Sequence, residues 1–143
     1  MSATTHSLPH ATPLLLLKDR YGRIARDLRV SLTDRCNLRC TYCMPAQGLD
    51  WTPSEQLLTD EEIIRLVTIG VQLLGIRQVR FTGGEPLLKK SLDQLIHRVK
   101  QLHTDEGKPV STALTTNGIG LHRKATQLKD AGLDRVNISL DTL

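Results

Sequence analysis

Leu28-Arg29-Val30-Ser31-Leu32-Thr33 runs directly into Asp34-Arg35-Cys36-Asn37-Leu38-Arg39-Cys40-Thr41-Tyr42-Cys43, so a strand-like stretch empties into a loop with C-x-x-x-C-x-x-C spacing. Apolar and polar residues alternate in the first six positions, which predicts a strand. The cysteine loop continues to about Pro53. Beyond it, Thr59 with Glu62 three residues on forms a capping box, and Ile63, Ile64, Val67, Val71 and Leu74 recur at helical spacing until Gly75 closes the helix. The same pattern then repeats. Gln78 to Thr82 predicts a second strand leading into Gly83-Gly84-Glu85-Pro86, and a second helix from Ser91 sets Leu92, Leu95, Ile96, Val99 and Leu102 on one face. A third strand around Val110 to Thr115 runs into Thr116-Asn117-Gly118. A third helix over about His122 to Ala131 stops at Gly132, and Arg135 to Asp141 predicts a fourth strand.

Strands alternating with helices imply an α/β fold with parallel strands. About three and a half βα units are visible, and right-handed crossovers curve such units into a partial (βα) barrel whose post-strand loops gather at one end. The four motif-bearing loops all fall at that end. Residues 18–143 read as one domain. Residues 1–17 lack acidic side chains, Arg and any amphipathic period, and read as a disordered leader.

The 143 residues are ordinary for a globular protein, with 39% hydrophobic and 24% charged residues, and no apolar run long enough to span a bilayer. No membrane role is expected. The net charge of +4 suits an anionic partner, but with 3% aromatic residues the chain lacks the stacking platform of a nucleic-acid strand binder. Nucleotide phosphates fit better. Three cysteines within eight residues suggest no disulfide framework, and no signal peptide precedes them, which points to a reducing cytoplasm.

The chemistry of the cysteine loop leaves three options. A loop this compact can wrap three thiolates around an iron–sulfur cubane, leaving the fourth iron open to a small molecule, and the chain has no fourth Cys to close it. Zinc is the rival, although no His follows at finger-like spacing. Three unliganded thiols are the third option, disfavoured because inert Cys prefers apolar surroundings. Gly83-Gly84-Glu85-Pro86 taken alone is also compatible with a simple turn. The five histidines read as surface residues.

The loop Cys36-x-x-x-Cys40-x-Tyr42-Cys43, followed one βα unit later by Gly83-Gly84-Glu85-Pro86, resembles the radical S-adenosylmethionine (SAM) superfamily. That resemblance implies a [4Fe–4S] cluster on Cys36, Cys40 and Cys43. It also implies SAM chelating the open iron and one-electron cleavage to a 5′-deoxyadenosyl radical. The two glycines would let backbone approach the methionyl amino group of SAM.

A narrower likeness comes from Asp19-Arg20-Tyr21-Gly22-Arg23, Leu28 to Asn37, Arg80 to Leu87, Thr115-Thr116-Asn117-Gly118 and Asn137-Ile138-Ser139-Leu140-Asp141, in this order. Together they resemble the GTP 3′,8-cyclase family, the lyases that begin molybdenum cofactor biosynthesis by cyclising GTP to 3′,8-cyclo-7,8-dihydro-GTP. By that resemblance Tyr42, Gly84 and Ser139 contact SAM, while Arg29, Arg80 and Thr115 contact GTP. A one-electron donor is implied, and a homodimer is compatible with it. Guanidinium suits phosphate because it offers paired donors and a permanent charge. The residues alone keep other readings open: Arg29 or Arg80 as an outward strand residue, Arg29 balancing Asp27, and Ser139 as a small strand-end residue.

The family's second three-Cys cluster, a further GTP-contacting lysine and a Gly-Gly tail, all C-terminal, have no counterpart in these residues. The expectation is therefore the N-terminal portion of such an enzyme, with no GTP cyclisation by this chain alone. Two other functions share the same front half: a radical SAM enzyme modifying a peptide or cofactor, and a non-catalytic short form.

Overall fold

A computed structural model describes residues 14–140. Four parallel strands, β1 (Asp27–Ser31), β2 (Gln78–Thr82), β3 (Ser111–Thr116) and β4 (Arg135–Ile138), lie side by side in chain order. Helices α1 (Asp60–Leu74), α2 (Leu92–Lys100) and α3 (Leu121–Ala131) connect them. The open sheet is the α/β, partial-barrel arrangement expected from the sequence. None of the described helices is long and apolar enough to cross a membrane. Most of the expected leader, residues 1–13, lies outside the described residues. Among the next four, Leu15 meets the C-terminal end of α1, where its N–H donates to the Leu73 carbonyl at 2.8 Å.

The helices form where their ends are satisfied. Thr59 caps α1 by accepting from the Glu62 N–H, and the Glu62 side chain accepts from the Thr59 N–H at 2.8 Å, the reciprocal arrangement its sequence announces. Such caps contribute about 1 kcal/mol. Gly75, at φ 76°, ends the helix in a left-handed turn. Two strands differ in length from their sequence reading. β1 is Asp27–Ser31 rather than Leu28 to Thr33, because Thr33 already belongs to the loop that meets the next strand's glycines. β4 is assigned over Arg135–Ile138 rather than to Asp141, and Asp141 lies outside the described residues.

The core lies between the sheet and the helices. Val79 and Phe81 of β2, Leu114 of β3, Val67 and Val71 of α1, Leu95, Ile96 and Val99 of α2, and Leu128 of α3 are all buried there. Each large side chain so buried contributes roughly 1.5–3 kcal/mol relative to exposure. The opposite face of the sheet carries Asp27, Arg29 and Ser31, then Gln78, Arg80 and Thr82, then Ser111, Ala113 and Thr115, then Arg135 and Asn137, by the strand registers. A parallel sheet buried on both sides reads as a continuous apolar run. Here the strands alternate, so the inner face is built for polar company.

Asp134, in the turn before β4, ties α2 to β3. Its Oδ2 accepts from Lys100 Nζ at 2.8 Å and from the Thr112 N–H at 2.8 Å. Partial burial opposes its ionisation, but these two partners prevail and hold the carboxyl below the usual aspartate range. A depressed folded-state pKa gives stability that is full above the ordinary value of about 3.9 and is lost as the pH falls through the folded value. Asp134→Asn is therefore expected to lower the Tm by a few degrees at pH 7, a modest figure because the side chain is 41% exposed. The difference from the parent chain should shrink below about pH 4, and scanning calorimetry at pH 7 and pH 3 measures it.

Candidate cofactor and substrate site

Each strand hands over to a loop at the same end of the sheet, and the first two of these loops are stitched together through their backbones. The Gly84 N–H donates to the Thr33 carbonyl at 2.6 Å, and the Glu85 N–H donates to the Arg35 carbonyl at 2.7 Å. The loop after β2 therefore lies directly on the loop that carries the cysteines. An added Cβ on Gly84 would sit 2.3 Å from the Arg35 oxygen and 2.5 Å from the Asp34 oxygen. One on Gly83, at φ 142°, would sit 2.5 Å from the Thr33 oxygen. The resemblance implies close approach to SAM as the reason for these glycines. In the structure the close approach is to the neighbouring loop, while Gly84 remains exposed toward the cavity it lines.

Glu85 joins the third loop to the first two. It is 1% exposed, and its carboxylate accepts from the Leu87 N–H at 3.0 Å, the Thr116 hydroxyl at 2.7 Å and the Asn117 N–H at 2.8 Å. Asn117 then donates its side-chain N–H to Asn37 Oδ1 in the cysteine loop at 2.8 Å. In the sequence Glu85 stands within the Gly83-Gly84-Glu85-Pro86 motif with no role of its own. The available signal was an acidic residue between a glycine turn and Pro86, where a solvated carboxylate has little reason to stand.

One cavity collects most of the expected site. Cys36, Cys40, Tyr42, Cys43, Gly83, Gly84, Glu85, Thr115 and Ser139 all line it. The three cysteines are free thiols. Within their loop the Cys43 N–H donates to the Cys40 carbonyl at 2.9 Å, a turn that brings two ligand candidates round one side. Among the described residues no three His, Cys, Asp or Glu side chains are drawn together as ligands of a single metal ion. Three thiol donors around a common cavity, with no fourth, suit a multi-iron guest with one open corner. Beneath the loop, hydrogen bonds from the Thr52 N–H and hydroxyl, both 2.7 Å, hold the Asp34 carboxyl below the usual range, and its other oxygen is buried without a partner.

Arg29 and Arg80 do not line this cavity. They are direct register partners on the inner face, two residues before Ser31 and Thr82, which places them roughly 7 Å back along the strands from the strand ends. Asp27 does not pair with Arg29. Its carboxylate lies 3.6 Å from Arg80 and accepts from Gln78 at 2.6 Å.

Residues 30–143 match the model of the family described as the radical SAM superfamily. The chain is 65% identical over 136 residues to a protein named GTP 3′,8-cyclase from Corynebacterium glutamicum, covering 95% of this chain and 36% of that one. It is 64% identical over 128 residues to a protein of the same name from Streptomyces coelicolor, covering 90% and 36%. For one from a Mycobacterium species the identity is 56% over 143 residues, covering 100% and 39%. The chain thus spans 36–39% of the length of these relatives.

Proposed function

Because the chain belongs to the radical SAM superfamily, we propose that it is the cofactor-binding N-terminal part of a GTP 3′,8-cyclase, the type of lyase that begins molybdenum cofactor biosynthesis. Cys36, Cys40 and Cys43 hold a [4Fe–4S] cluster, Tyr42, Gly84 and Ser139 contact SAM, and Arg29, Arg80 and Thr115 contact GTP. The observation that carries this reading is the single cavity lined by all three thiols together with Gly84, Thr115 and Ser139. The bound cluster and SAM supply one-electron cleavage of the sulfonium and the hydrogen-abstracting radical chemistry that follows from it.

The chain's own residues bind and orient. The stitched loops fix the start of the cysteine loop relative to the glycine turn, the kind of positioning a bound cofactor and substrate would need in order to react. The guanidiniums deeper on the inner face suit the phosphates of GTP, leaving its sugar toward the loop end. Thr115, in β3, and Ser139, one residue past the end of the neighbouring β4, stand between the two regions. GTP as substrate and a one-electron donor as partner follow from the same reading.

Anaerobic reconstitution of the chain with iron and sulfide is expected to load about four irons per chain, with a paramagnetic signal on reduction that changes when SAM is added. Stoichiometric zinc with no cluster under those conditions would sink the assignment.

A further inference from the structure

We propose that Arg135 is a third guanidinium of the polyphosphate subsite, reaching across β3 to act with Arg29 and Arg80. The inference rests on the cyclase reading and extends it to a residue that reading leaves unassigned. Arg29 pairs with Arg80, Arg80 with Ala113, and Ala113 with Arg135, so the four form one row across all four strands. Adjacent strands stand about 4.8 Å apart, which sets the α-carbons of Arg80 and Arg135 roughly 10 Å apart with only a methyl between them. That is a trough whose floor, Ala113, is 1% exposed beneath the long cationic side chains on its banks.

Arg135 already leans into it. Its guanidinium donates to the Gln78 side-chain oxygen two strands away, and Gln78 in turn donates to Asp27 at 2.6 Å. Such a chain passes over β3 only because β3 presents Ser111 and Ala113 there. Like charges in neighbouring register positions repel. Among the residues that the four strands place on this face, Asp27 is the one carboxylate against three arginines. Arg80 Nε is buried without a hydrogen-bond partner, a donor left open in a row of excess positive charge. A chain of phosphates laid along the trough would neutralise the excess and accept from all three forks.

The test uses the 143-residue chain and three probes: GTP, inorganic tripolyphosphate and guanosine, each titrated calorimetrically. Arg135→Ala and Arg135→Gln are expected to weaken GTP and tripolyphosphate by roughly tenfold, the order set by losing one charge-assisted pair. Guanosine binding should stay unchanged, which a merely structural loss would not allow. Arg135→Lys should recover part of the affinity, since charge remains but the fork does not. Equal unfolding temperatures verify that each variant is folded, and the glutamine variant can still bond Gln78 if the alanine variant is not. If Arg135→Ala and Arg135→Gln bind tripolyphosphate as the parent does while Arg29→Ala and Arg80→Ala lose it, the third guanidinium is refuted and the cyclase reading stands. If the parent chain binds tripolyphosphate no better than guanosine, both fall.

Discussion

Gly84→Ala is expected to destabilise the chain by about 3–5 kcal/mol and to abolish most iron loading, although it changes no charge and adds one methyl group. The added carbon would lie 2.3 Å from the Arg35 carbonyl oxygen and 2.5 Å from that of Asp34. Those atoms are backbone, so no rotamer change relieves the contact. The loops must separate by about 1 Å, and overpacking of this kind costs roughly 1–3 kcal/mol. Separation also breaks the Gly84–Thr33 and Glu85–Arg35 hydrogen bonds, 2.6 and 2.7 Å long, at about 1 kcal/mol each. Against a total stability of about 5–15 kcal/mol for a domain, that is a large share.

The iron consequence follows from where the loop goes. Asp34 and Arg35 lead directly into Cys36, so pushing their carbonyls away moves the first thiol relative to the glycine turn. Gly70→Ala is the matched control, because the new carbon would meet Ile76 at an ordinary 3.4 Å and alanine suits a helix interior better than glycine by about 0.5–1 kcal/mol. Urea unfolding of the metal-free chain and iron analysis after reconstitution read both variants. Should Gly84→Ala keep parent stability and iron content while losing only SAM affinity, the glycine serves the cofactor and not the loop contact.

What the sequence discloses divides along the range of the interactions. The capping box at Thr59, the left-handed stop at Gly75 and the apolar spacing of α2 are local, and each stands where periodicity and cap chemistry put it. Cys36, Cys40, Gly84, Thr115 and Ser139 arrive at one cavity because parallel strands deliver their following loops to one end, a consequence of topology that the alternation of elements already contains. Pairwise reach across loops is different. Nothing local to Gly84 says that its neighbour is the Arg35 oxygen, and the chemistry of a glycine fits SAM and backbone equally well. Arg135 was hidden for a related reason: its alternation with Asn137 is visible, but the row it joins depends on the register of three strand pairs. Strand ends slipped where a loop contact overrode β propensity, as at Thr33, whose carbonyl is given to Gly84.

Glu85→Ala is expected to lower stability by about 3–5 kcal/mol, the upper range that breaking a buried hydrogen-bond network reaches. The alanine variant leaves the Leu87 N–H, the Thr116 hydroxyl and the Asn117 N–H without their acceptor, and buried donors left unmade cost about 1–3 kcal/mol each before relaxation. Water can enter from the adjoining cavity, which keeps the total below the simple sum. Glu85→Gln separates shape from chemistry. Oε1 faces the Leu87 N–H and the Thr116 hydroxyl, whereas Oε2 faces the Asn117 N–H. Whichever way the amide is turned, its NH2 meets a backbone N–H, so glutamine fills the volume but always leaves one donor facing another. Its expected cost is intermediate, about 1–3 kcal/mol.

The loss also has a direction. Asn117 is held by Glu85 and itself holds Asn37, so removing the carboxylate frees the β3 loop from the cysteine loop without touching any thiol. Hydrogen exchange of the metal-free variant should therefore rise in residues 33–37 and 116–119 while the cores of α1 and α2 stay protected. Uniform loss of protection across the chain would mean that Glu85 supports the whole fold, and parent-like exchange in both loops would mean that the backbone bonds alone hold them.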